Sequence, residues 1–236
     1  MSAPPWSLTG DGFIWLFRFP RAFVLEHGFL APWQREALRE TLGAVILVRY
    51  TQSGVGPYDE LLCIPGRFAV AGARHFSISV IYVSTEASVR WGIANWGIPK
   101  QQAQFERQQM HGEVVFSCAT TTDEPILSAR LRPLGLPFPV ASALVPFRIA
   151  QRRGKEVLIT HPRAVGRARL CTVSRLAVNP AHFPDIARLR PLAVLAVESF
   201  RMTFPHPVRL NGAGTDLLHA EGACGNQEQS HLPSAS

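Results

Sequence analysis

Residues 91–106 read WGIANWGIPKQQAQFE, and this stretch sets the organisation of the chain. Its first half closes a helix. Ser84 or Thr85 supplies a cap, Glu86 an acid in the first turn, and the helix runs through Ala87, Val89, Arg90 and Ile93 to about Trp96. Gly97 is a natural terminator and Pro99 prevents resumption, so Lys100 stands just past a helix stop, at the start of a strand over 102–108. Of the 24 Lys plus Arg residues only two are Lys, at positions 100 and 155. Arginine carries surface charge equally well, but it cannot lose its proton and attack a carbonyl. A lysine fixed by a tight turn is therefore a candidate nucleophile. A cation beyond a helix end is also favoured on charge alone, so the spacing leaves both readings open.

Working outward, the neighbouring segments read as strands. Phe76 to Val83 alternates hydroxyl and apolar residues with period two. Tyr58 to Ile64 carries Asp59 and Glu60 at its start and is closed by Pro65-Gly66, and Ala44 to Tyr50 has a buried centre. Pro32 to Thr41 suits a short helix. Phe13 to Leu25 reads as one or two core strands broken near Pro20, rather than as a membrane-surface stretch. After residue 108 the chain is mostly β, with strands at 112–119, 125–132, 144–151, 156–160 and 167–178 and an irregular Pro133 to Pro139. Residues 184–197 mix helical spacing with Pro191, and 198–210 reads as the last strand. Lys155 falls in the hairpin turn Arg152-Arg153-Gly154-Lys155 and should be exposed.

Roughly ten short strands with two or three helices predict a mainly β (α+β) fold, an antiparallel barrel or sandwich with helical insertions. A doubly wound α/β fold is disfavoured, because strands follow strands and no GxGxxG follows one. The expected boundaries are a flexible tail over 1–10, one domain over 11–210, and a disordered tail over 211–236, which has no Lys or Arg.

The net charge of +7 invites a nucleic-acid reading, but the arginines are scattered and no binding motif accompanies them. Cys63, Cys118, Cys171 and Cys224 form no CxxC pair, so a zinc or redox motif is unsupported. No secretory signal and no apolar run of membrane-spanning length is visible, and a reducing, cytoplasmic setting is expected.

Two stretches taken together resemble the acetoacetate decarboxylase superfamily. They are Gly56-Pro57-Tyr58-Asp59-Glu60-Leu61-Leu62 and, after Ile81-Tyr82-Val83-Ser84, Asn95-Trp96-Gly97-Ile98-Pro99-Lys100. The family pattern is a G-P-Y-x-E strand followed by a short helix ending in W-G-[FYI]-P-K, and the match covers about residues 45–107. The resemblance implies a cone-like β-barrel with an apolar cavity and a homo-oligomer. It also implies that Lys100 forms a Schiff base with a ketone substrate and that Glu60 handles protons or places the substrate. The family's decarboxylases carry a second lysine directly after the reactive one, whereas this chain has Gln101. Activation of Lys100 would then rest on desolvation and placement. Making a lysine neutral near pH 7 takes about 5 kcal/mol, which full burial can supply. The family's carboxylate-binding arginine has no motif here by which to place it.

Two functions follow from these residues. In the first, Lys100 attacks a small β-keto or 2-oxo acid, and the protonated imine serves as the electron sink for decarboxylation or for aldol and dehydration chemistry. Glu60 would shuttle the proton, Gln101 would hydrogen-bond the bound carboxylate or a water, and Tyr58 would be a further donor. The imine activates the substrate alone, so no metal or other cofactor is implied. The partner is a small molecule, not nucleic acid or membrane. In the second, the barrel binds a small apolar carboxylate or ketone without turnover, with Lys100 protonated and paired to Glu60.

Overall fold

A computed structural model describes residues 2–144 and 147–210. Along the chain come β1 (Trp6–Arg18), α1 (Arg21–His27), α2 (Pro32–Ala37), β2 (Leu38–Glu40), β3 (Leu42–Gln52), β4 (Tyr58–Ile64), β5 (Arg67–Val70), β6 (Ala73–Phe76), β7 (Val80–Val83) and α3 (Glu86–Trp96). Then follow β8 (Lys100–Gln102), β9 (Gln104–Met110), β10 (Glu113–Ala119), β11 (Pro125–Ala141), β12 (Ile149–Arg153), β13 (Glu156–Thr160), β14 (Arg163–Val178), β15 (Ala193–Phe204) and β16 (Val208–Leu210). Ten strands form one sheet in the order β8-β7-β4-β3-β1-β15-β14-β11-β10-β9, which curls into a nearly closed barrel. Every neighbouring pair in it is antiparallel except β7 and β8. Six strands form a second sheet in the order β16-β13-β12-β6-β5-β2. The mainly β, barrel-like fold with a few short helices is the one the sequence predicts.

Strand alternation divides the apolar residues between two cores. On β4, Leu61 and Cys63 join the larger core, with Trp15, Phe17, Phe68 and Phe116. Tyr58, Leu62 and Ile64 point the other way, into a second core with Trp6, Tyr50, Trp96 and Phe200. Glu60 shares the parity of Tyr58 and Leu62, which puts a carboxylate on an apolar face.

Several expectations need correction. Residues 6–10 are not a loose tail: β1 begins at Trp6, pairs with Phe204 of β15, and buries Trp6 against the edge of Trp96 at 4.8 Å. Their Ser, Thr and Gly content hides a strand that pairing with β15, joined by β3 from Thr9 onward, creates. After Pro20 the chain turns into α1 rather than a second strand. Phe76 to Val83 is split, because Ser77 to Ser79 carry the chain from the second sheet to the first. Pro133 to Pro139 is part of β11, with the irregularity absorbed by a bulge between Leu134 and Phe138. The strand expected from 144 starts at Ile149. The expected disordered tail, 211–236, lies outside the described residues.

Candidate active site

Helix α3 delivers Lys100 by local rules. Thr85 caps it, accepting a hydrogen bond from the Ser88 amide, and Glu86 sits in its first turn. Gly97 ends it at φ 64°, a left-handed conformation that glycine adopts without steric cost. Pro99 follows, and the Lys100 amide donates to the Ile98 carbonyl at 2.8 Å. Lys100 then pairs in parallel with Ile81, so a helix stop and a strand hold its backbone from two sides.

The side chain of Lys100 turns inward and is only 7% exposed. Its Nζ donates to Glu60 Oε2 at 2.8 Å, to Ser88 Oγ at 3.0 Å and to Tyr58 Oη at 3.3 Å. Glu60 is 5% exposed and accepts a second hydrogen bond at Oε1 from the Tyr50 hydroxyl, at 3.0 Å. Tyr50 and Tyr58 are register partners on β3 and β4, with ring centroids 4.6 Å apart. Ser88, Gly92 and Trp96 form the buried ridge of α3 at one-turn spacing. Ser88 supplies an oxygen to Nζ, and Gly92 leaves room for the lysine stem.

Electrostatics hold this cluster as an ion pair. Burial alone pulls the pKa of Lys100 down, but the Glu60 charge, Tyr58 and the hydrogen bonds to both outweigh it, so the net direction is up. Burial, then the Glu60 charge, pushes Tyr50 well up, and burial brings Tyr58 up to about 12. Both phenols therefore keep their protons at neutral pH and remain donors.

Outside the cluster lies a surface hollow of about 350 Å³, lined in part by Tyr50 and Tyr58 and by Arg49, Asp59 and Ser84. Arg49 is tied up by Asp59, with Nε donating at 2.9 Å and Nη2 at 3.3 Å. The two tyrosines thus border the hollow on one side and the Lys100–Glu60 pair on the other.

Of the residues singled out in the sequence, Lys100, Glu60 and Tyr58 come together. Gln101 does not: it is exposed, because alternation along β8 turns it away from the face on which Lys100 is buried. Lys155 is exposed in the hairpin turn between β12 and β13. Tyr50, Ser88 and Gly92 escaped the sequence reading. The one available signal was the small, polar ridge Ser88-Gly92 on a helix face that ends in a tryptophan. Among the described residues, no cluster of His, Cys, Asp or Glu could hold a metal ion, and no helix is long and apolar enough to cross a membrane.

No protein-family model matches the chain, and no curated protein matches it. Solved structures do. An acetoacetate decarboxylase from Legionella pneumophila subsp. pneumophila str. Philadelphia 1 is 16% identical, with 88% of each chain covered and a TM-score of 0.67. The enduracididine biosynthesis enzyme MppR, complexed with pyruvate, is 14% identical over 90% of this chain and 93% of its own, at a TM-score of 0.64. An acetoacetate decarboxylase-like enzyme from Sphingomonas wittichii RW1 is 14% identical over 89% of this chain and 94% of its own, at 0.59. At these identities the likeness establishes the fold.

Proposed function

We propose that this chain, which has the acetoacetate decarboxylase fold, is a lyase that works through an imine between Lys100 and a small β-keto or 2-oxo acid. The observation that carries the reading is the burial of the Lys100 amine against one carboxylate and two hydroxyls. A protonated resting lysine is compatible with it. Glu60, at 2.8 Å, can take the proton as Nζ attacks, so the pair needs no base from bulk water. The overall change is R–NH3⁺ plus O=C giving R–NH⁺=C plus H2O. Charge is conserved, and Glu60 faces one cation before and after.

The iminium then draws electrons from the neighbouring bond. With a β-keto acid, the C–C bond to the carboxylate breaks, CO2 leaves, and its bonding pair forms the enamine. With a 2-oxo acid, loss of a proton from the carbon next to the imine gives the enamine used in aldol or dehydration steps. The solved relatives lend support to both substrate classes, one being a decarboxylase of acetoacetate and another holding pyruvate. We extend the proposal to a homo-oligomer, on the sequence resemblance, and to a reducing cytoplasmic setting, on the widely spaced cysteines.

A specific observation also favours a second reading. All three donors of an ammonium are satisfied and its pKa is raised, as in a barrel that binds a small carboxylate or ketone without turnover. One experiment separates the two. The protein is incubated with acetoacetate or pyruvate, reduced with borohydride and read by intact and peptide mass. A stable adduct on Lys100, absent from Lys100→Ala, is expected. A well-folded sample that traps neither compound would leave the binding role.

A further inference from the structure

We propose that Ser88 is a catalytic residue of imine formation, passing a proton between Nζ of Lys100 and the substrate carbonyl oxygen; the proposal rests on the Schiff-base reading above. An ammonium has three N–H donors, and three oxygens receive them here: Glu60 Oε2, Ser88 Oγ and Tyr58 Oη. A protonated imine keeps one N–H. Two of the three oxygens must therefore lose their donor as the reaction proceeds, and the two protons leave in the released water. Glu60 is the nearest of the three and the charged one, so it keeps the iminium N–H. The hydroxyls of Ser88 and Tyr58 are the ones set free.

Those hydroxyls lie within hydrogen-bond reach of the attacking nitrogen. In the first step the N–C bond forms and the carbonyl π pair moves to oxygen, which takes a proton. In the second step the C–O bond breaks, the oxygen leaves as water with a second proton, and the nitrogen lone pair closes the C=N bond. A hydroxyl beside Nζ can accept a proton from nitrogen while giving its own to oxygen, and so ends each step unchanged, while Glu60 holds the proton it took from the ammonium and returns it to the imine nitrogen. Ser88 suits this better than Tyr58. It is nearer, at 3.0 Å against 3.3 Å, and is fully buried on a rigid helix. Tyr58 also borders the surface hollow. Ser88 stands in the first turn of α3, and its hydroxyl is turned to the lysine.

The test is timed borohydride quenching with pyruvate and with acetoacetate, on wild type, Ser88→Ala and Ser88→Cys. Both variants should form the Lys100 adduct at least about a hundredfold more slowly, the low end of what a positioned proton-transfer group contributes. They should still reach the wild-type extent of adduct, because Ser88 is regenerated and does not alter the equilibrium. The cysteine variant keeps the branch at Cβ with a larger sulfur that is a weak hydrogen-bonding group, and reports on the hydroxyl should the alanine variant fold poorly. Wild-type rates in Ser88→Cys overturn the proposal, since packing alone would then account for the serine. A wild type that traps on Lys100 with Ser88→Ala equally fast also overturns it and leaves the imine reading intact. A wild type that traps nothing removes both.

Discussion

Gly92 and Lys100 share one volume: a Cβ at position 92 would lie 2.6 Å from Cδ of Lys100 and 2.9 Å from its Cε. Glycine inside a helix costs up to about 1 kcal/mol against alanine, so α3 gives up helical stability to let the lysine stem lie against its backbone. Gly92→Ala should therefore hold or raise the stability of the isolated helix while displacing Nζ from its three oxygens. The expected result is a folded protein with borohydride trapping slowed by about tenfold or more, since misplacement of a reacting atom by an ångström is that costly. Circular dichroism checks the fold, and adduct mass checks the rate. Unchanged trapping would mean that the lysine stem has another path.

Removing the carboxylate should be costly in a different way. Glu60→Gln leaves a buried ammonium without its counter-charge, and breaking such a pair from one side costs about 3–5 kcal/mol. Thermal or urea unfolding would read this directly. The sign of the pH dependence follows from Lys100, whose pKa is raised in the folded state. Its contribution to stability is complete below the ordinary lysine range, near pH 10.4, and is lost only as pH climbs through the raised value. Wild type should thus show no loss from this pair across neutral pH, whereas the Glu60→Gln deficit should shrink once pH passes the lowered pKa that burial gives Lys100 in the variant.

The contrast between Gly97 and Gly92 shows what the sequence can disclose. Gly97 and Pro99 act on their own neighbours, so the helix stop and the position of Lys100 were legible from spacing. Glu60 was legible because its motif accompanies the lysine motif in order. Gly92, Ser88 and Tyr50 matter through partners 8 to 12 residues away, reached only once α3 lies on the sheet and β3 is in register with β4. Gln101 was chosen because it stands where the resembled family has its second lysine, whereas here the strand turns it to the face opposite Lys100. Trp6 was missed because its strand partner, Phe204, lies about 200 residues along the chain.

Trp6 also yields a stability expectation. It meets Trp96 edge-to-face at 4.8 Å, and the Trp96 indole donates to the Pro205 carbonyl at 2.8 Å. This brings the start of β1 and the segment after β15 against the last turn of α3. Trp6→Ala should cost about 3–5 kcal/mol, as expected for a buried large aromatic. Truncation before Trp6 should cost less, since it removes the hydrogen bonds that Ser2 makes with Trp6, Asn95 and Gly54 rather than the buried ring. Denaturant midpoints of the two variants test whether residues 6–10 belong to the fold.

The three buried thiols make a chemical prediction. Cys63, Cys118 and Cys171 are unbridged and sit in the larger core. Burial pushes Cys63 up to about 12 and Cys171 to about 11, and raises Cys118 further. The thiolate is the reactive form, so peptides carrying these residues should stay unalkylated by iodoacetamide at pH 8 until denaturant is added. Rapid labelling of the native protein at any of the three would show that the core opens.

The last expectation tests whether Glu60 or bulk hydroxide removes the lysine proton. If the proton moves within the Lys100–Glu60 pair, the pair's total proton count does not change as imine formation starts. The trapping rate of wild type should then be nearly flat across neutral and mildly alkaline pH, although Lys100 rests as an ammonium whose pKa is raised. In Glu60→Gln the upward push is gone and burial pulls the pKa of Lys100 down. The amine must then lose its proton to solvent, so the rate should climb by up to about tenfold per pH unit below that pKa and level off above it. A flat wild-type profile beside a sloping variant assigns the transfer to Glu60. A wild-type rate that climbs with the same slope would assign it to solvent and leave Glu60 only the role of counter-ion.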